Sequence, residues 1–156
     1  MDELIRDFYN NFKNLNAEGM IAHYHPEVTF KDPAFGKLEG NDACNMWRML
    51  CESQKGKEFF LDYYDVHANS ESGTAMWESK YIFSKTNNHV QNVIRAKFKF
   101  KDSKIISHED EFNLYNWAIQ ALGFKGLLLG WTPFFKRSLQ KNTGRMLKKF
   151  ANSRES

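Results

Sequence analysis

Apolar residues recur along this chain with two different periods, and the change from one to the other divides it into helices and strands. Over residues 2–15, Leu4, Ile5, Phe8, Phe12 and Leu15 repeat close to the helical period, which predicts an amphipathic helix. Asn16 can cap a second short helix reaching Tyr24, which Pro26 ends. In VTFKDPAFG, residues 28–36, the period becomes two. Val28, Phe30 and Asp32 share one face of a short strand, and Pro33 with Gly36 turns the chain out of it. Asn41 is a cap for a third helix to about Ser53 that buries Ala43, Met46, Trp47 and Leu50, and Gly56 closes it. Two strands follow over residues 58–68 and 74–84. In the second, Ala75, Trp77, Ser79, Tyr81 and Phe83 form one row, while Thr74, Met76, Glu78, Lys80 and Ile82 form the other. Both rows of residues 58–68 hold aromatics, so the inward face of that strand stays open.

The stretch 90–115 alternates most clearly and reads as a hairpin. Asn92, Ile94, Ala96, Phe98 and Phe100 share a face of its first strand, and Ile106, His108, Asp110, Phe112 and Leu114 share a face of its second. A two-residue loop would put the two apolar rows on opposite sides of the sheet. A three-residue loop, residues 102–104, pairs Phe100 with Ile106, Phe98 with His108, Ala96 with Asp110 and Ile94 with Phe112, which merges the rows and is the expected register. His108 and Asp110 then point into the apolar side, where ionisable groups do not sit without a reason. Helices first and antiparallel strands afterwards imply an α+β fold, with helices packed on one side of a curved sheet.

Length and composition narrow this further. One domain with a substantial core fits 156 residues, and Phe occurs 14 times among the 15% aromatic residues. No window is long and apolar enough for a membrane span, and the acidic start MDELIRD is unlike a signal peptide, so a cytoplasmic protein is expected. Cys44 and Cys51 lie on one predicted helix, too far apart along its axis for a disulfide, and are expected as free thiols. The net charge of +3 conceals an asymmetry: from Lys125 onward eight Lys or Arg face Glu155 alone, a tail of +7 behind a body of −4.

Three carboxyl or imidazole groups are the candidate catalytic residues, Asp32, His108 and Asp110, because each shares a strand face with large hydrophobes. Each also has a plainer reading. Asp32 could brace the turn at Pro33, and His108 with Asp110 could form a buried polar pair that holds strand register. Tyr9, Trp77, Asn92, Phe98 and Phe112 are the expected pocket-lining, substrate-binding residues. His23 and His25 face different sides of their segment without a nearby third ligand, so no metal site is expected. Phosphate loops, nucleophile elbows and CxxC pairs are absent, and strand alternation alone explains KFKFK, so neither a cofactor nor nucleic acid is implied.

The run FYNNFKNLNAEGMIAHYHPEVTFKDPAFGKLEG, then MWRML, MWESKYIF, NVIRAKFKFKDSKI, HEDEFNLYNWAIQALG and GLLLGW, resembles the SnoaL-like branch of the nuclear transport factor 2-like superfamily over roughly residues 4–131. That superfamily includes ketosteroid isomerases and limonene epoxide hydrolases. The resemblance implies a cone-shaped α+β barrel with an apolar pocket for a small molecule, usually in a homodimer. A homodimer through the outward row Thr74, Met76, Glu78, Lys80 and Ile82 is therefore expected. Asp32, in TFKDP, matches the general base of ketosteroid isomerases, and His108 with Asp110 resembles the acid/base pair of SnoaL-type cyclases. The family's oxyanion tyrosine falls at Phe8, beside Tyr9, and its protonated aspartate falls near Ala96. Both oxyanion donors are missing, each worth ~3 kcal/mol, which argues against steroid isomerisation itself. Arg95 could serve an epoxide hydrolase, but its alternation points it outward. The expected function is a cofactor-independent isomerase, cyclase or hydrolase acting on an apolar, oxygen-containing small molecule; the alternative is a non-catalytic ligand- or partner-binding module.

Beyond that resemblance, Thr132 and Pro133 have the chemistry to start a helix over residues 133–151, with Phe135, Leu139, Met146 and Phe150 near one stripe. This extension, residues 132–156, is read as part of the same domain. The stripe is expected to pack on the barrel with its charges solvated; the alternatives are a lid over the pocket mouth and a helix lying on an anionic membrane surface.

Overall fold

Six strands form one curved, open sheet in the order β2-β1-β6-β5-β4-β3, seen in a computed structural model that describes residues 1–155. The strands are β1 (Tyr24–Asp32), β2 (Gly36–Glu39), β3 (Phe59–Ala68), β4 (Ser72–Phe83), β5 (Asn88–Lys101) and β6 (Lys104–Glu111). Every pairing is antiparallel except β1 with β6, which is parallel. Helices α1 (Asp2–Lys13), α2 (Ala17–Ile21) and α3 (Asn41–Gln54) precede or interrupt the strands, and α4 (Leu114–Leu122), α5 (Phe124–Leu129) and α6 (Pro133–Glu155) follow them.

The amphipathic stripe of α1 does what its spacing requires: Ile5, Phe8 and Tyr9 are fully buried and Phe12 nearly so. They meet the inward row of the sheet, Ala75, Trp77, Ile94, Ala96 and Phe98, together with Met46 and Trp47 of α3, in one core. The α+β arrangement expected from the helix and strand order is the arrangement found. In β3 the open question of face is settled by an irregularity between Tyr64 and His67, where Asp65 takes a positive φ of 51°. Leu61 and Val66 face the core on either side of it, which leaves Phe60 and Tyr64 exposed on the outer face.

Three local expectations need correction. The β5–β6 hairpin turns on two residues, not three: Asp102 and Ser103 both have positive φ, and Lys101 pairs with Lys104. A bulge then supplies the missing residue, because Phe100 pairs with Ile105 while Lys99 pairs with Ser107, so Ile106 is the extra residue on β6. The phase is restored beyond it, and Phe98 sits opposite His108 and Ala96 opposite Asp110, as the merged apolar rows require. The second helix stops at Ile21, and Tyr24 already belongs to β1, whose ladder with β6 shifts register between Tyr24 and Thr29 to accommodate Pro26. Asn41 is the first residue of α3 rather than its cap; Gly40, at φ 49°, occupies that position.

The C-terminal helix α6 runs over the open side of the sheet. Thr132 caps it, its Oγ1 accepting from Phe135 N–H at 3.1 Å, and Leu147 joins the main core. Gln140 donates to the Pro33 carbonyl at 3.1 Å and Thr143 to the Ala34 carbonyl at 2.9 Å, tying α6 to the turn after Asp32. No helix among the described residues is long and apolar enough to cross a membrane.

Candidate functional site

A cavity of about 380 Å³ opens between the concave side of the sheet, α3 and α6. Its walls are mainly apolar. Phe30 and Trp77 come from the sheet, Met46, Trp47 and Leu50 from α3, Trp117 from α4, and Phe135, Leu139 and Met146 from α6. Of the stripe expected on α6, Phe135 and Leu139 pack on the protein and roof the cavity; Met146 reaches its edge but is 47% exposed, Phe150 does not line it, and the buried residue is Leu147, outside the expected stripe.

Two carboxyl groups reach this apolar space, Asp32 and Asp110. They come from β1 and β6, whose parallel ladder pairs Phe30 with His108 and Lys31 with Glu109. One step further along each strand stand Asp32 and Asp110, on the same face of strands about 4.8 Å apart. The proximity acts on Asp32. Burial, reinforced by the charge of Asp110, pushes its carboxyl up to about 7 from the usual 3.8, against the opposing effect of two backbone donors. Those donors are the Phe35 N–H at 2.6 Å and the Ala34 N–H at 2.9 Å, both given to Oδ1. The turn-bracing role and the placement in the cavity are thus two properties of one side chain, and Oδ2 takes no hydrogen bond from the described residues.

Asp110 is held differently. Its Oδ1 accepts from His108 Nε2 at 3.0 Å and from Trp77 Nε1 at 3.3 Å. His108 is buried among Phe8, Phe30, Trp47 and Phe98, with the Phe98 ring centroid 4.5 Å away. Its other nitrogen, Nδ1, meets the Tyr24 hydroxyl at 2.7 Å, and that hydroxyl accepts from Trp47 Nε1 at 2.7 Å. An indole N–H can only donate, and burial pushes the Tyr24 hydroxyl well above its ordinary range, so it keeps its proton. Donation from Tyr24 to Nδ1 satisfies that proton, and His108 then donates to Asp110 through its Nε2–H. The chain of donors runs Trp47, Tyr24, His108, Asp110, and it ends at the cavity. Removing its second member is expected to destabilise the fold: Tyr24→Phe leaves the Trp47 N–H and the acceptor Nδ1 unsatisfied in the core, a loss of about 1–3 kcal/mol in chemical denaturation. An unchanged midpoint would mean that the relay carries no such energy.

Further polar groups face the same space. Ser79 and Asn92 pair across β4 and β5, line the cavity, and make no side-chain hydrogen bond to the protein among the described residues. Tyr81 lines it too; its hydroxyl accepts from Trp117 Nε1 at 2.8 Å, and burial holds it above its usual range, so its own proton remains available to a ligand. Nothing in the sequence distinguishes Tyr81 from the other aromatics of its row.

The residues expected to line the pocket divide into two groups. Trp77, Asn92 and Phe112 line it, with Asp32 and Asp110. Tyr9, Phe98 and His108 do not: the inward stripe of α1 fills the deep end of the cone, and these three side chains are core behind Trp77 and Asp110. Tyr9 is fully buried with its hydroxyl unpartnered, and Phe8, at the family's oxyanion position, packs its ring against His108. Arg95 is exposed and pairs with Met76 and Glu111, on the outer side of the sheet. His23 bonds Asp7 at 2.7 Å, while His25 accepts from the Glu27 N–H at 3.1 Å with Asp102 3.6 Å from its other ring nitrogen, so the two histidines have separate partners. Cys44 and Cys51 are free thiols.

A profile of the SnoaL-like domain matches residues 5–108. No curated protein matches the chain. Among solved structures, a protein of ketosteroid isomerase-like fold from Catenulispora acidiphila, in complex with trimethylamine, superposes with a TM-score of 0.64 at 13% identity, covering 84% of this chain and 98% of that one. TerC co-crystallised with polyporic acid gives 0.63 at 15% identity, over 76% of this chain and 95% of the other. An LEH-like epoxide hydrolase of M. tuberculosis gives 0.59 at 19% identity, over 82% and 89%. At these identities the likeness is one of fold.

Proposed function

The chain belongs to the SnoaL-like family of the nuclear transport factor 2-like superfamily, and on that basis we propose that its cavity is the active site of a cofactor-independent isomerase or cyclase working by proton transfer. The observation that carries the reading is the pair of cavity carboxyls in unlike surroundings: Asp32 poised at about 7, and Asp110 fixed by two N–H donors on one oxygen. Asp32 is the proton acceptor. Its free Oδ2 takes a proton from carbon adjacent to a substrate carbonyl, and the electron pair moves onto the carbonyl oxygen as an enolate. Tyr81 O–H or the Asn92 amide donates to that oxygen, in place of the donors absent at Phe8 and Ala96. The proton returns from Asp32 to another carbon, or the enolate carbon adds to a second carbonyl carbon of the substrate, closing a ring as that C=O π bond opens, and Asp32 returns the proton to the new alkoxide. His108 is a positioning residue that orients Asp110. The substrate is a mainly apolar carbonyl compound of a size that suits the walls of the cavity.

Hydrolysis of an epoxide fits less well, because no arginine lines the cavity among the described residues. The bracing of the turn by Asp32 supports the competing reading, a binding module without chemistry. Enolisable lipophilic ketones, including steroid, terpenoid and aromatic polyketide carbonyls, separate the two. Incubated in D2O with the protein, those that raise its melting temperature are expected to gain deuterium next to the carbonyl, read by mass spectrometry. Ligands that bind in the cavity and exchange no hydrogen at any pH between 5 and 9 would establish the binding module instead.

A further inference from the structure

Ten large apolar side chains are exposed among the described residues, and six of them fall in one short segment: Phe124, Leu127, Leu128, Leu129, Trp131 and Phe134. The segment covers α5 and the start of α6, and its polarity is inverted. The side of α5 turned to the protein is glycine: a Cβ at Gly126 would run into the Ala118 carbonyl of α4, and one at Gly130 into the Gly126 carbonyl and the Ala118 side chain. The leucines occupy the side turned to solvent, at 47–53% exposure, with Phe124 at 72%, Trp131 at 68% and Phe134 at 69%. Side chains so exposed form a projecting ridge rather than the floor of a groove. An apolar patch of this kind on a soluble domain marks an interaction surface.

Polar atoms within the ridge are already satisfied. Trp131 Nε1 donates to the Leu128 carbonyl at 3.1 Å, Thr132 Oγ1 to the Leu129 carbonyl at 2.7 Å, and Tyr115 to the Leu127 carbonyl at 3.0 Å. The surface can therefore leave water without stranding these donors and carbonyls. Charge then selects the partner. Residues 112–154 contain Lys125, Lys136, Arg137, Lys141, Arg145, Lys148, Lys149 and Arg154, and not one Asp or Glu. A second copy docked symmetrically on this patch would set cations against cations, whereas an anionic surface would meet both features at once.

We propose that α5 and the first turn of α6 dock the protein on an anionic lipid surface, with the leucines and aromatics entering the headgroup boundary and the flanking cations meeting lipid phosphates. Phe134 faces the lipid while its neighbour Phe135 lines the cavity, so the helix that roofs the cavity lies against the bilayer. The docking is independent of what the cavity catalyses.

Trp131 is a built-in reporter, since Trp47, Trp77 and Trp117 are no more than 8% exposed. The full chain is mixed at low salt with vesicles of phosphatidylcholine alone or of phosphatidylcholine with phosphatidylglycerol. Flotation with the anionic vesicles and a blue shift of tryptophan emission are expected, both absent with phosphatidylcholine alone. Leu128→Glu should abolish both signals and Trp131→Glu, which removes the reporter itself, should abolish flotation, each with unchanged circular dichroism melts, and Lys136→Gln with Arg137→Gln should weaken binding on the order of twenty-fold. The proposal is overturned if the wild-type protein stays in solution with anionic vesicles. It is equally overturned if Trp131→Glu floats as well as wild type, which would indicate adsorption through other cations. A wild-type dimer in light scattering that Trp131→Glu dissociates, without vesicle binding, would assign the ridge to a second copy and also overturn it.

Discussion

Asparagine at position 32 is expected to lower turnover by about 10²- to 10⁴-fold while substrate affinity changes little, the range spanned by loss of a positioned general base. The substitution is chosen because it leaves the turn intact. Asn Oδ1 can still accept from the Ala34 and Phe35 N–H groups, so the backbone that α6 clamps through Gln140 and Thr143 has no reason to move. What disappears is the group on Oδ2 that can take a proton. In the wild-type protein kcat/KM should climb with pH until the carboxyl, pushed up to about 7, is ionised, and then level off. In Asp32→Asn that break should vanish along with the rate. The measurement is a pair of pH profiles on the first ketone found to exchange. A variant with full kcat would reduce Asp32 to a brace for the turn.

Much of this site is legible in the sequence, and the limits of legibility have a physical cause. Helix α1 and the strands β4, β5 and β6 announce themselves by local periodicity, and the inward placement of His108 and Asp110 follows once the two apolar rows must share a side, although the shorter turn and the bulge at Ile106 have no signature in that alternation. The parallel pairing of β1 with β6 cannot be read in this way, because its partners are distant in sequence and no turn marks it. That pairing is what sets Asp32 beside Asp110. Tyr24 reads locally as a helix end, and its bond to His108, 84 positions away, has no local signature. The availability of the Tyr81 proton depends in the same way on Trp117, 36 residues further along. In α4 and α5 the sequence LYNWAIQALGFKGLLL is apolar on nearly every side, so neither period stands out. The structure resolves it by burying Trp117, Ala118 and Ala121, packing Leu114 and Leu122 against them, and leaving Leu127, Leu128 and Leu129 outside.

The same substitution should make the protein more stable, and only at the pH where the wild type is working. A carboxyl whose folded value is raised to about 7 from 3.8 binds its proton more tightly in the native state than in the unfolded chain. Folding is favoured by that proton below pH 4, and the advantage is lost as pH rises from about 4 to about 7, beyond which it no longer changes. A gap of about three pH units corresponds to roughly 4 kcal/mol. Asparagine carries no charge to desolvate, so Asp32→Asn should match the wild type near pH 4 and exceed it by an amount approaching that figure at pH 8. For a chain of this length the expected rise in Tm at pH 8 is roughly 10 °C. Carboxylates remote from Asp32 are untouched by the substitution, so the difference between the two melting curves reports Asp32 together with its coupling to Asp110. Parallel Tm profiles from pH 4 to 8 would show that Asp32 titrates as an ordinary carboxylate and would remove the tuned acceptor from the mechanism. A crossing from equality to a large gain, together with the lost turnover, would identify the strain at Asp32 as a cost in stability maintained for its chemistry.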